Sequence, residues 1–379
     1  MTFRVAIWHA AFAFTFFITL VDGVDAKDIS QLPHIERVDT RINNLMEEGH
    51  FPGVAVTVMR AGQTVHISTH GMANLSHEIP VTTQTVFEIA SLTKQMTALA
   101  VMTLVEEERL SLDDRLVEWI DDAPSAWDKI TVAQLLSHTA GLTHRFERTV
   151  NDVLLLEYSR DDMLTSAKNT SMLAEPGTDW NYSDQGYFLL GIIIEEVTEQ
   201  SYANYMQENF FRPLGMEQTH FLDQRKIVPH LAKGYAWNNG ELQRNRRVWQ
   251  FSLTSHFGVM SSLEDLSRWE AELSNPKHIN QNALEATWQI QRSFDTGRQC
   301  DTWGYARGWQ AQIVNGRRIL NHGGYSGTAY IRDVDTGLSV IVLTNREDTP
   351  NAMNPLSLAW QAANAVDSSI PSGGYKCWE

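Results

Sequence analysis

Alternating strand-like segments at both ends of the chain bracket a long helical middle, and this arrangement limits the available folds more than any single motif does. Val54 to Met59 and Thr64 to Ser68 flank Ala61-Gly62, a hairpin signature. Far downstream, Gly308 to Val314, Arg318 to Asn321, Ala329 to Asp333 and Leu338 to Thr344 are further strands, with turns at Asn315-Gly316 and Asp335-Thr336-Gly337. Ile35, Val38, Ile42 and Leu45 keep a helical period closed by Gly49, and Leu356 to Ala365 forms a last helix. Between them, Ser91 to Glu108, Thr131 to Leu136, Tyr187 to Glu199, Tyr202 to Phe211 and Leu263 to Leu273 are helical. The expected class is therefore α/β of the α+β kind: an antiparallel sheet flanked by the first and last helices, with a large all-helical lobe inserted. The sheet lobe takes residues of about 30–90 and 300–379, and the helical lobe about 91–299. A crevice between two such lobes is a common place for a substrate.

The chain has 379 residues and a formal net charge of −16, so no basic surplus exists to neutralise the phosphates of a nucleic acid or an anionic membrane. Its first residues differ from the rest. Arg4 precedes an apolar stretch from Val5 to Val21, and Val24-Asp25-Ala26 offers a small residue for cleavage. We expect residues 1–26 to be a signal peptide and residues 27–379 the mature domain, secreted or periplasmic; an uncleaved membrane anchor is the alternative. Export makes a bond between Cys300 and Cys377 permissible, and two unpaired buried thiols fit the sequence nearly as well.

Chemistry concentrates at Ser91-Leu92-Thr93-Lys94, which opens the apolar helix carrying Met96, Leu99, Met102, Leu104 and Val105. Residues three apart share a helix face, so the Lys94 amine can fold back to the Ser91 hydroxyl and accept its proton. The same spacing at Ser274-Asn275-Pro276-Lys277 is interrupted by proline. Read alone, Ser91 is equally a helix cap and Lys94 a solvated first-turn residue. Pro176 to Tyr187 is a turn-rich loop running into a helix, which holds Tyr182 at the lobe surface as a candidate proton shuttle; Tyr202 is its rival, but lies in an amphipathic stretch and suits packing. At Asn321-His322-Gly323-Gly324-Tyr325-Ser326-Gly327, glycines beside a strand allow close backbone approach. The backbone N–H groups of Ser91 and Tyr325 are the candidates for an oxyanion hole.

These three pieces together resemble the serine beta-lactamase and penicillin-binding protein superfamily, on its class C beta-lactamase, esterase and DD-peptidase branch. Leu135-Leu136-Ser137-His138-Thr139-Ala140-Gly141-Leu142, Pro213-Leu214-Gly215-Met216 and Asp265-Leu266-Ser267-Arg268-Trp269 extend the match in the family's order. The resemblance implies a two-lobed fold, Ser91 as the acylated nucleophile, Lys94 and Tyr182 as proton-transfer partners, and His138 as a scaffold residue. The sequence has no His-Glu-x-x-His motif or clustered Cys for zinc and no Gly-x-Ser-x-Gly elbow, so we expect neither metal nor organic cofactor. Two departures matter. Asp184 stands where the family's tyrosine motif usually ends in asparagine, and a carboxylate there can pair with Lys94 and keep it charged. His322-Gly323-Gly324 replaces Lys-Thr-Gly, and a neutral histidine attracts a substrate carboxylate poorly. Asp184, His322, Gly323 and Gly324 are thus the expected substrate-binding positions. The resulting expectation is an exported serine hydrolase acting on small esters, amides or short peptides, esterase-like and with weak beta-lactamase activity at most. A D-amino-acid peptidase or DD-carboxypeptidase is the first alternative; a catalytically weak binding or scaffolding protein on the same fold is the second.

Overall fold

The computed structural model describes residues 35–144, 146, 149–150, 153–154, 157–245, 250–251, 253–294, 302–347 and 354–372. The expected leader and both cysteines lie outside the described residues. Among those described, no helix is long and apolar enough to cross a membrane.

Nine antiparallel strands make the main sheet: β1 (Gly53–Arg60), β2 (Gln63–Asn74), β3 (Ile79–Pro80), β4 (Arg292–Phe294), β5 (Thr302–Tyr305), β6 (Gln310–Val314), β7 (Arg317–Gly324), β8 (Thr328–Asp333) and β9 (Leu338–Thr344). Their spatial order is β4-β5-β6-β7-β8-β9-β1-β2-β3, so the two ends of the chain meet where β9 pairs with β1, Val54 opposite Thr344. The central strands are buried on both faces. On β1, Val54, Val56 and Val58 join one core, whereas Ala55 joins the other. β9 alternates in the same way, with Leu338, Val340 and Val342 on the first side and Ile341 and Leu343 on the second. That two-sided burial explains why these strands read as nearly unbroken apolar runs.

The first face is covered by α1 (Ile35–Gly49), through Val38 and Ile42, and by the C-terminal helix Pro355–Val366, through Leu356, Ala359, Trp360 and Ala363. The second face meets the inserted lobe. There, α2 (Thr93–Glu106) is buried almost all round and packs on α5 (Asp184–Thr198) and α8 (Gln281–Thr287), in a lobe that also holds α3 (Val132–Leu136), α4 (Arg160–Asn169), α6 (Tyr202–Met206) and α7 (Leu263–Ser274). This lobe also carries strands, which the sequence expectation of an all-helical insertion leaves out. Val86–Glu88, Val259–Ser262 and His220–Phe221 form a small sheet beside the nucleophile segment, and β4, inside the expected helical span, belongs to the main sheet. These segments are too short to show a period in sequence.

A buried ion pair ties α7 to the sheet. Glu270 accepts hydrogen bonds from Arg332 and from the Tyr330 hydroxyl, both on β8, and the Arg332 guanidinium lies 4.8 Å from the Trp288 ring centroid. Removing one member leaves the other charge buried and unpaired. Glu270→Ala should therefore cost about 3–5 kcal/mol of stability, seen as a lower urea midpoint; an unchanged midpoint would contradict this account.

Candidate active site

Ser91 sits in a 3-10 turn, Ala90–Leu92, that leads directly into α2. Ala90 has φ of +47°, an unusual conformation for a residue with a side chain, and it turns the following hydroxyl out of the helix start. Ser91 is partly exposed, whereas Lys94, one turn on, is 0% exposed.

Lys94 Nζ donates to Ser91 Oγ at 3.3 Å, to Asp184 Oδ1 at 2.6 Å and to the His256 carbonyl at 2.7 Å. The hydroxyl of Tyr182 is the fourth neighbour, with Nζ 4.9 Å from its ring centroid. Burial pushes the Lys94 ammonium down, but the Asp184 charge, with help from Tyr182, outweighs burial and leaves it raised. For Asp184, burial pushes the carboxyl up and the Lys94 charge more than reverses this, so it is held below the usual carboxylate range. The Tyr182 hydroxyl is raised, because burial outweighs the pull of Lys94 and its hydrogen bonds with Lys94 and Ser91. At rest the site is therefore an ammonium–carboxylate pair beside a protonated phenol.

Local structure fixes Tyr182 and Asp184. Ser183 caps α5, accepting from Gly186 N–H at 3.0 Å and donating to the Thr143 carbonyl at 2.6 Å. The Ser183 N–H donates to His138 Nδ1 at 3.1 Å, which puts the imidazole proton on Nε2, and the His138 ring packs 4.4 Å from that of Tyr182. Buried His138 is pushed well below its usual value, chiefly by burial, so it stays neutral and positions the loop. Tyr202 is placed elsewhere: it is 1% exposed and its hydroxyl meets Thr97 Oγ1 at 2.7 Å.

The sheet supplies the opposite wall. β7 pairs with β6 only as far as Asn321, but with β8 as far as Gly324, so the β6-facing edge of residues 322–324 has no strand beside it among the described residues. Its end is fastened to the nucleophile segment: Ser326 Oγ donates to the Glu88 carbonyl at 2.6 Å and Thr328 Oγ1 to the Ile89 carbonyl at 3.0 Å. A Cβ on Gly324 would stand 2.2 Å from Thr328 Oγ1 and 2.5 Å from the Ile89 carbonyl, so only glycine allows this approach. On Gly323 the nearest atom would be 4.0 Å away, which leaves open space in front of the strand. Tyr325 follows, its side chain exposed.

His322 is 2% exposed, and its Nδ1 donates to the Gly323 carbonyl at 2.7 Å. Burial, reinforced by Lys94, pushes its pKa down to about 4, so it carries no charge near neutrality. The His256 carbonyl and the His144 ring, whose Nδ1 is 3.8 Å from Asp184 Oδ2, complete the surroundings of the pair. Neither residue was legible in sequence: the first acts through its backbone, and the second is a lone histidine in a polar loop. A separate cavity of about 310 Å³ is lined by Phe87, Leu231, Met260, Lys226 and Ser326 among others, and by none of Ser91, Lys94 and Tyr182.

A serine and lysine one turn apart on a buried helix, faced by a tyrosine loop and a glycine-edged strand, define a serine hydrolase of the beta-lactamase and penicillin-binding protein superfamily. The chain belongs to the beta-lactamase family, whose sequence profile matches residues 38–364. It is 28% identical over 333 residues to penicillin-binding protein 4* of Bacillus subtilis, covering 83% of this chain and 72% of that protein. It is also 28% identical to Protein flp of Staphylococcus aureus, over 76% of this chain but only 58% of Flp. In fold it is similar to the octameric penicillin-binding protein homologue from Pyrococcus abyssi, with a TM-score of 0.77 and 24% identity over 89% of this chain and 78% of that one. EstCE1, a hydrolase with promiscuous acyltransferase activity, gives a TM-score of 0.73 and 21% identity over 90% of this chain and 100% of that one.

The two glycines make a contrasting pair. Gly324→Ala should push the strand end off the nucleophile turn and abolish labelling of Ser91 by a fluorophosphonate, whereas Gly323→Ala should label at close to the wild-type rate. Equal labelling of both variants would refute the assigned packing.

Proposed function

We propose that this protein is an exported serine hydrolase that passes the acyl group of small esters or amides through a covalent intermediate on Ser91. The observation that carries this reading is the convergence of the Ser91 hydroxyl, the Lys94 amine 3.3 Å away and the Tyr182 phenol beside the open edge at 322–324. Ser91 Oγ attacks the substrate carbonyl carbon as its proton is taken up by the Lys94–Asp184 pair, and the oxyanion that forms is met by the backbone N–H groups of Ser91 and Tyr325. Tyr182, held rigidly by the His138 loop, hands a proton to the departing alcohol or amine. Water then repeats the sequence on the acyl-enzyme. The export half of the proposal rests on the apolar leader from Val5 to Val21.

Esters and uncharged amides are favoured over beta-lactams because buried, neutral His322 offers a substrate carboxylate no positive charge. A short acyl nitrophenyl ester, a D-Ala-D-Ala peptide and nitrocefin should be turned over in that order of efficiency by the purified mature protein; dominant nitrocefin turnover would overturn the preference. His322→Lys should raise the acylation rate of nitrocefin relative to the ester about tenfold, the scale of one charge-assisted hydrogen bond.

Ser91→Ala should remove both turnover and probe labelling. A biological effect that survives this change would favour a binding protein on the same fold. Tyr182→Phe should lower kcat about a hundredfold, in the range for loss of a general acid–base. Tyr202→Phe should keep kcat and lose about 1 kcal/mol of stability with its hydrogen bond to Thr97. Equal effects on kcat would remove the role given to Tyr182.

A further inference from the structure

We infer that Asp184 is a proton relay: it takes a proton from Lys94 as Lys94 takes one from Ser91, so that the two side chains act as one base. This rests on the acyl-enzyme reading above and turns the departure from the family's asparagine into a working part.

The geometry defines the path. Ser91 Oγ, Lys94 Nζ and Asp184 Oδ1 are consecutive, at 3.3 and 2.6 Å. An ammonium has no lone pair, so Lys94 can accept the serine proton only by releasing one of its own. The groups around it offer few places for that proton. The His256 carbonyl is an amide oxygen and far too weak a base. Tyr182 already carries its proton, and burial holds it there. Tyr187, 5.7 Å from Nζ at its ring centroid, is likewise a protonated phenol, donating to the Leu136 carbonyl. His138 uses Nδ1 to accept from Ser183, His322 uses Nδ1 to donate to Gly323, and burial makes both weak bases, as it does His256. His144 Nδ1 lies 3.8 Å from Asp184 Oδ2, so it meets the carboxylate on the oxygen that Lys94 does not use. Among the described residues in contact with Nζ, the carboxylate of Asp184 is the proton acceptor.

The energetics permit the transfer. An ion pair is favoured over its neutral form by water, and keeping two charges buried costs several kcal/mol per ion. Lys94 has already lost its water, but the Asp184 side chain is 24% exposed and lies in the first turn of α5, where the helix dipole favours a negative charge. Both features hold the resting pair ionised. A substrate bound in the cleft excludes water from the pair, which moves the balance toward the amine and the carboxylic acid. In a single relay one proton of Nζ passes to Oδ1 as the serine proton passes to Nζ, and the Oγ–carbon bond forms as the carbonyl electron pair moves to oxygen. On collapse the bond to the leaving group breaks, Tyr182 protonates that group, Lys94 restores the proton of Tyr182, and Asp184 returns one to Lys94.

The test is Asp184→Asn, which keeps the shape and an acceptor oxygen but cannot take a proton. Expected are a fall of about a hundredfold in kcat/KM for a short acyl nitrophenyl ester near neutral pH, little change in KM, and recovery as pH rises. Recovery follows because Lys94, without its counter-charge, is left to the depressing effect of burial and deprotonates by itself. Asp184→Glu should regain much of the loss. Wild-type or higher activity in Asp184→Asn would show the carboxylate to be a bystander or a brake, and a loss with an unchanged pH profile would reduce it to a structural role; either overturns the relay. On wild-type protein, a proton inventory in mixed light and heavy water should be bowed, because two protons move together, and a straight line would also overturn it. Failure of the acyl-enzyme reading is separately visible, as wild-type protein without a fluorophosphonate adduct on Ser91.

Discussion

The site depends on backbone-to-backbone contact between the sheet and the start of the nucleophile helix. On one side Gly324 lies against Ile89 and Ala90; on the other, Gly308, at φ of +77°, lies so close to α2 that a Cβ would stand 2.6 Å from the Lys94 carbonyl and 2.7 Å from the Gln95 Cα. Larger residues at either point would separate the lobes. The hydroxyls of Ser326 and Thr328 lock the first contact, and the side chain of Thr93 accepts from the Val259 N–H at 3.1 Å to lock the helix start to the small sheet. Ser91 is thus held from several directions before any substrate arrives, which is what preorganised catalysis requires.

The charges follow from that packing. Once α2 is enclosed, Lys94 has no route to water, and Asp184 and a carbonyl stabilise its charge. Asparagine in the same place would satisfy a proton but supply no charge, so the single change from amide to carboxylate sets the protonation of the whole centre. His322 carries the complementary change. A strand position that could attract an anion is occupied by an enclosed ring whose own proton is spent on Gly323, and the charge of neighbouring Lys94 is itself paired with Asp184.

Much of this was legible in the residues, for identifiable reasons. β1 and β9 are long and largely apolar, and the Ala61-Gly62 and Asn315-Gly316 turns adopt the left-handed conformations that such pairs favour. Ser91, Lys94 and Tyr182 were legible because sequence spacing translates into helix and loop geometry. The segments that escaped notice lack that translation. α4 buries only Met163, Ser166 and Ala167 on a polar helix, although its Ser159 and Asp162 capping box was there to be found. α8 is seven residues long and begins in a stretch without apolar period. β2 extends to Asn74, beyond the apolar residues that mark its start, because pairing with β1 and β3 sustains it. The pairing of Asp184 with Lys94 was foreseeable from charge; the His256 carbonyl was not, since a backbone contact leaves no mark on residue identity.

The joining of β9 to β1 has a kinetic consequence. Residues about 290 positions apart must meet before the sheet can close, since Val54 pairs with Thr344. Loop closure on that scale is slow, and the local contacts of the inserted helices can form long beforehand. During synthesis the hairpin β1–β2 emerges first and must wait for nearly the whole remaining chain, with the apolar edge of β1 uncovered. The chain therefore passes through a long-lived stage vulnerable to edge-to-edge association, a hazard set by topology and independent of how stable the finished molecule is.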